Sequence, residues 1–327
     1  MTEKLKETAH SLGADLVAVA PAERWNTPPP FDTANIRVYP HSGYLPSELM
    51  PSTRSIVVVA VKHLDGVIDT ITTDCKTTAV QGNFGYVFLN RRLNEITFGL
   101  ARRLEELGHR SVPLGSVGQS RYNQAVEENP DILSAGYGIF SLKRAAVLAG
   151  LGRKARNGLV ASLELGVRMR LGALLTAAEL EGDPLLEGDP CPAGCAICMK
   201  VCPTQAISLD GRVSHLRCFS DAGRRGVHYE EIKANFRAQY PADLPGVDYA
   251  QDEYWGNEGT GNRICKVACF AFCPLGKRNS PDILGRVKRF EREGPKVELR
   301  GFPPAHNFVL DGVAGDTIAD KTLSCQG

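Results

Sequence analysis

The apolar residues of this chain follow two rhythms. Leu5, Ala9 and Leu12 share one face of a predicted amphipathic helix that Gly13 stops. Leu16 to Ala20 (LVAVA) and Ile56 to Val61 (IVVVAV) are short unbroken apolar runs and predict buried strands. Between them, Pro28-Pro29-Pro30 forces an extended loop. From Tyr86 the apolar positions Leu89, Leu93, Ile96, Leu100, Leu104 and Leu107 keep helical spacing for about six turns, and Gly108 ends the run. Residues 139–149 (IFSLKRAAVLA) predict another helix, 150–158 (GLGRKARNG) a turn, and 159–163 a strand. Strands alternating with helices predict a layered α/β or α+β domain.

The pattern breaks at Glu181 to Pro190, where Gly, Pro and acidic residues gather. This places a domain boundary there: a first domain over 1–185, a cysteine-rich second domain over 186–286, and a charged, Gly- and Pro-containing extension over 287–327. A length of 327 residues suits two domains with their own cores.

Composition adds exclusions. With 38 Lys+Arg against 37 Asp+Glu the net charge is +1, so no overall field draws the chain to nucleic acid or an anionic membrane. The densest basic patch is local: Lys143-Arg144 with Arg153-Lys154-Ala155-Arg156. No stretch reaches the roughly 18 apolar residues needed to span a bilayer, and the N-terminus has neither an apolar signal core nor a twin-arginine leader. A soluble, cytoplasmic protein is expected, with no membrane partner.

Ten cysteines change the picture. Their tight clustering without a signal peptide points to metal, not disulfides. CPAGCAICMKVCP supplies Cys191, Cys195, Cys198 and Cys202 before Pro203, and from Cys195 reads C-x2-C-x3-C-P, the core of a bacterial ferredoxin run. In such a run the fourth cysteine serves a second cluster, so a partner motif is required. CKVACFAFCP supplies it with Cys265, Cys269 and Cys273 before Pro274, and Cys218 stands between the runs. The pseudo-symmetric assignment gives Cys191, Cys195, Cys198 and Cys273 to one [4Fe-4S] cluster and Cys202, Cys218, Cys265 and Cys269 to another. Two four-cysteine zinc sites are the alternative. The spacings Cys191-x3-Cys195 and Cys265-x3-Cys269 are each one residue wider than usual. Cys75 and Cys325 receive no role.

Other signatures are missing: no P-loop, no Gly-x-Ser-x-Gly elbow, no His-Glu-x-x-His, no Gly-x-Gly-x-x-Gly. The seven histidines are scattered.

The order of motifs resembles the epoxyqueuosine reductase and reductive dehalogenase superfamily. It is carried by LPSELMPSTRSIVVVAV at 45–61, AGLGRKARNGLVAS at 149–162, RMRLGALLT at 168–176, the Cys-Pro run with TQAI, HLRC at 215–218 and GNRIC at 261–265. The resemblance implies an α+β fold, a nitroreductase-like α/β cobalamin-binding domain followed by a ferredoxin-like domain with two [4Fe-4S] clusters. It assigns the loop residues Gly150, Gly152, Arg156, Asn157 and Gly158 to the corrinoid. Asp-x-His-x-x-Gly is absent, so cobalamin is expected base-off without a protein His on cobalt.

The implied chemistry is reduction, with electrons passing from the clusters to cobalt and a nearby acid donating a proton. Epoxyqueuosine reductases carry an Asp donor where this chain reads SAGYGIF at 134–140. Tyr137 is therefore the expected general acid, by analogy with the Tyr of dehalogenases, with Lys143 or Arg144 lowering its pKa; Asp131 is the second candidate. Neither the helical repeat tail used for tRNA nor an exported leader is read here. These features lead to a cytoplasmic, dehalogenase-like reductase acting on a small molecule, fed by an external low-potential donor such as a ferredoxin or flavodoxin, with nucleic acid unlikely as partner. The alternatives are an electron-transfer protein without corrinoid, a corrinoid-binding or corrinoid-reducing accessory protein, and an epoxyqueuosine reductase acting on tRNA.

Overall fold

The computed structural model describes residues 1–25, 45–70, 83–116, 140–202, 205–208, 211, 213, 268–276 and 283–293. The chain divides into two compact units, each discontinuous in sequence. The first takes Met1–His63, Phe88–Cys195 and Cys273–Asn279; the second takes Leu64–Val87, Ala196–Phe272 and Ser280–Gly327.

The first unit is built on a four-stranded antiparallel sheet. Its strands are β1 (Leu16–Pro21), β2 (Ser55–Lys62), β3 (Ser111–Gly115) and, later in the chain, β6 (Met169–Thr176), in the order β1-β2-β6-β3. The short β4 (Arg153–Lys154) and β5 (Val160–Ala161) form a separate two-stranded ribbon. Because all the pairings are antiparallel and the helices lie outside the strand order, this unit is α+β.

Successive side chains of a strand point to opposite faces, and β2 uses both. Ile56, Val58 and Ala60 pack in one cluster with Ala145, Ala146 and Leu148 of the helix Leu142–Leu148. Val57, Val59 and Val61 pack in another with Leu5 and Ala9 of the helix Thr2–Ser11 and with Leu93, Ile96, Leu100 and Leu104 of the helix Phe88–Glu106. A strand covered on both faces reads as a continuous apolar run, not an alternating one. The long helix comes close enough to β6 that a β-carbon on Gly172 would stand 3.3 Å from Leu93 and Thr97.

The expected helix over 86–107 is present as Phe88–Glu106, and it ends in a Schellman turn. His109 N–H donates to the Leu104 carbonyl and Gly108 N–H to that of Glu105, with Gly108 at φ +88°. Leu107 is consequently exposed, and Tyr86 belongs to a preceding π-helical turn, Asn83–Val87. The strand expected over 159–163 is the two-residue β5. The sheet takes its central strand from the segment that follows, Met169–Thr176, whose pattern of Arg, Gly and Leu carries no clear alternation.

The Gly- and acid-rich segment after β6 is fastened to the sheet by Asp183. Its carboxylate accepts from Val19 N–H at 2.8 Å and from Lys6 Nζ at 2.7 Å, and its own N–H donates to the Val19 carbonyl at 2.9 Å. Arg24 adds bonds to the carbonyls of Asp183 (2.7 Å) and Leu148 (2.9 Å). In the second unit, Val201, Ala268, Phe272 and Val287 form a small core. Arg286 lies 5.7 Å from the Phe272 ring and pairs with Asp69.

Two predictions follow from these contacts. Asp183→Ala is expected to lower unfolding free energy by about 1–3 kcal/mol, read as a shift in urea midpoint; an unmoved midpoint would show the latch to be dispensable. His63 is 3% exposed, and burial first, then Arg170 and Arg168, depress its pKa from 6.5 to about 3. The unfolded chain therefore binds this proton before the folded one. Stability held above pH 6.5 should be lost as pH falls from 6.5 toward about 3, by up to a few kcal/mol. His63→Gln should flatten that slope in urea titrations run at successive pH values.

Candidate metal centre

Cysteine thiols need a reason to sit together without bonding to one another, and both units supply such groups. In the first unit Cys273 is buried while Cys191 and Cys195 are half-buried, and both act electrostatically on the Cys273 thiol. In the second unit Cys198 is buried with Ile207 and Val213, and Cys202 and Cys269 pack against that cluster. Cys218 and Cys265 lie outside the described residues, as do Cys75 and Cys325. Among the described residues no group of three Cys, His, Asp or Glu side chains is arranged to hold a metal ion.

Backbone N–H groups are nonetheless aimed at several of these sulfurs. Arg156 N–H donates to Cys191 Sγ at 3.3 Å, and Ala206 N–H donates to Cys202 Sγ at 3.3 Å. Cys273 receives the backbone N–H of Leu275. N–H donors aimed at cysteine sulfurs are one of the means by which proteins tune iron–sulfur clusters. As free thiols, Cys191 and Cys273 are pushed up by burial, Cys273 to about 11, with the N–H donors and nearby arginines opposing it. A coordinating metal removes such protons outright. An all-cysteine, N–H-solvated donor set fits a soft thiolate-held centre.

The loops that carry these cysteines are fixed by backbone contacts. Asp189 caps the first run by accepting from Cys191 N–H at 2.8 Å. The Arg156 guanidinium bonds the Cys195 carbonyl. The Cys273-Pro274-Leu275-Gly276 corner packs on the turn before β6: a β-carbon on Gly276, at φ +76°, would fall on Gly166 N and Leu165 C. Two residues further on, Arg168 donates from a guanidinium NH2 group to the Cys273 carbonyl at 2.8 Å.

The loop assigned to a corrinoid by resemblance is tied into the first unit at every named position. A β-carbon on Gly150, at φ +72°, would strike the Pro184 carbonyl, and one on Gly152 would lie 2.6 Å from the Ala161 carbonyl oxygen. Asn157 is buried and accepts from Leu159 N–H at 3.2 Å. The Gly158 carbonyl accepts from Lys143 Nζ at 2.9 Å. Arg144 stacks over Trp25, 4.6 Å from its centroid, and bonds the Trp25 carbonyl, while Trp25 stacks on Phe140. Glycines there permit close backbone packing within the unit, and Arg156 is committed to the cysteine run. Tyr137 and Asp131 lie outside the described residues.

Sequence reasoning missed Arg168, Ala206 and Asp189. Arg168 opens a motif already singled out, RMRLGALLT, but its direction toward Cys273 crosses 105 positions of sequence. Asp189 could have been found as a short polar residue two positions before a cysteine, a common local cap.

No family model matches this chain. Among curated proteins it is 38% identical over 110 residues to an epoxyqueuosine reductase of Lactococcus garvieae (strain Lg2), covering 32% of this chain and 29% of that protein. It is 24% identical over 245 residues to an epoxyqueuosine reductase of Staphylococcus aureus (strain NCTC 8325 / PS 47), covering 67% of this chain and 56% of that protein. The chain thus spans between about a third and just over half of the length of these relatives. Among solved structures, an epoxyqueuosine reductase crystallised with an epoxyqueuosine-modified tRNA-Tyr stem loop superposes with a TM-score of 0.51 at 20% identity, over 90% of this chain and 70% of that one. By sequence the chain is similar over part of its length to two epoxyqueuosine reductases, and it shares the fold of a third.

Proposed function

We propose that this chain is an iron–sulfur oxidoreductase that holds two [4Fe-4S] clusters on Cys191, Cys195, Cys198 and Cys273, and on Cys202, Cys218, Cys265 and Cys269. The observation that carries the reading is the matched treatment of its thiols: a backbone N–H reaches a cysteine sulfur of each proposed cluster, at Cys191 from Arg156 and at Cys202 from Ala206. Paired ferredoxin-type runs and reductase relatives support the same conclusion.

On substrate, the expectation of a dehalogenase-like enzyme gives way. The curated relatives are both epoxyqueuosine reductases, and a solved neighbour carries a modified tRNA stem loop. Reduction of an epoxide-bearing nucleoside in RNA therefore stands ahead of halide removal, and nucleic acid returns as a candidate partner despite a net charge of only +1. The electron donor in this reading is a low-potential ferredoxin or flavodoxin, and the location is the cytoplasm. Among the described residues no helix is long and apolar enough to cross a membrane.

Cobalamin is the further cofactor implied by resemblance, and when bound it would supply two-electron reducing chemistry at its metal. The loop residues assigned to it are engaged in packing the first unit, so they show no open cradle for it. This observation favours one second reading, an electron-transfer protein that works without corrinoid.

Anaerobic reconstitution followed by iron and sulfide analysis is the first test: about eight irons per chain are expected, the content of two cubanes. About four would remove one cluster, and zinc in place of iron would overturn the reading. Gly276→Val, by displacing the corner that carries Cys273, should lower the content toward about four, while Cys75→Ser should leave it unchanged. Cobalamin titration of the reconstituted protein separates the two readings. A base-off spectrum supports the reductase and directs assays first to an epoxyqueuosine-containing stem loop, then to halogenated aromatics; no spectral change leaves the electron-transfer protein.

A further inference from the structure

Arg168 is 1% exposed, the largest of the side chains almost wholly removed from solvent. Burying a guanidinium costs several kcal/mol unless negative charge or aligned acceptors compensate it. A fold that spends this energy beside one of its cysteine runs places a fixed positive charge there. Its backbone is held on two sides: its carbonyl accepts from His63 N–H at 3.0 Å, and its N–H donates to the Leu165 carbonyl at 3.2 Å. Strand β6 begins at the next residue. The guanidinium is aimed at the Cys273 carbonyl at 2.8 Å, and it acts on the Cys273 thiol through space. The same thiol also feels Cys191 and Cys195.

A cluster held by four thiolates is an anion, and reduction adds one more negative charge. A fixed cation in a low-dielectric surround stabilises the reduced state more than the oxidised one and raises the midpoint potential. We propose that Arg168 is a positioning residue that raises the reduction potential of the cluster bearing Cys273; this rests on the iron–sulfur reading above. The nearby Arg170 is directed elsewhere, with its guanidinium on Asn90 Oδ1 at 2.8 and 3.0 Å, and serves as the control.

The test is a redox titration followed by electron paramagnetic resonance on reconstituted full-length protein, with iron counted in every sample. In Arg168→Gln or Arg168→Met, one cluster should shift to a more negative midpoint. Its reduced-to-oxidised ratio at fixed poise should fall about tenfold, equivalent to about 59 mV for a one-electron couple, with the other cluster unmoved. Arg168→Lys should recover most of the shift, and Arg170→Gln should show none. Unmoved midpoints in either neutral variant with full iron overturn the proposal. So does loss of iron from both, which would make the arginine a scaffold residue only. A wild-type protein that takes up no iron–sulfur centre fails in a different way, by removing the reading on which the proposal rests.

Discussion

Strand β2 has no face to give to water, and the first unit is arranged to satisfy that constraint. Alternate residues of Ile56–Val61 enter two separate clusters, so helices must cover both sides of the sheet. On one side the helix Leu142–Leu148 supplies alanines that let it lie close. On the other, the helices Thr2–Ser11 and Phe88–Glu106 supply larger side chains, and Gly172 lets the long helix approach β6. Hydrophobic burial on this scale is what makes the unit rigid enough to hold polar groups in place around it.

The Cys273 corner is fixed by that sheet. β6 is paired on both sides, to β2 and to β3, and the turn that feeds it carries Gly166 and Arg168. Those two residues meet the Cys273 corner, one by backbone contact and the other by a hydrogen bond. The glycine loop after the helix Leu142–Leu148 works similarly: Gly150 and Gly152 close against Pro184 and Ala161, which leaves Arg156 N–H facing Cys191. Thus a loop that by resemblance belongs to a corrinoid contributes to the setting of a cysteine run.

Much of the scaffold was legible in the chain itself. The long helix and its stop at Gly108 follow from spacing and a Schellman turn, both of which are settled within a few residues. β2 is legible because burial on both faces writes itself as an unbroken apolar run. The cysteine runs stand out in the sequence by spacing alone, as C-x2-C-x3-C-P from Cys195. β6 was not legible as a strand: Arg170 and Gly172 interrupt its apolar pattern, the one bonded to Asn90 and the other making room for Leu93 and Thr97.

What the sequence determined by itself is most of the local elements and the spacing of the cysteines, since periodicity, capping and motif spacing are short-range. The tertiary structure alone decided which loop faces which cysteine, that the glycines at 150 and 152 serve packing, and that Arg168 points at Cys273. These depend on contacts between residues up to 105 positions apart. Such contacts form because the antiparallel sheet and its covering helices close over a shared core, and no local pattern of residues records which distant segments will meet there.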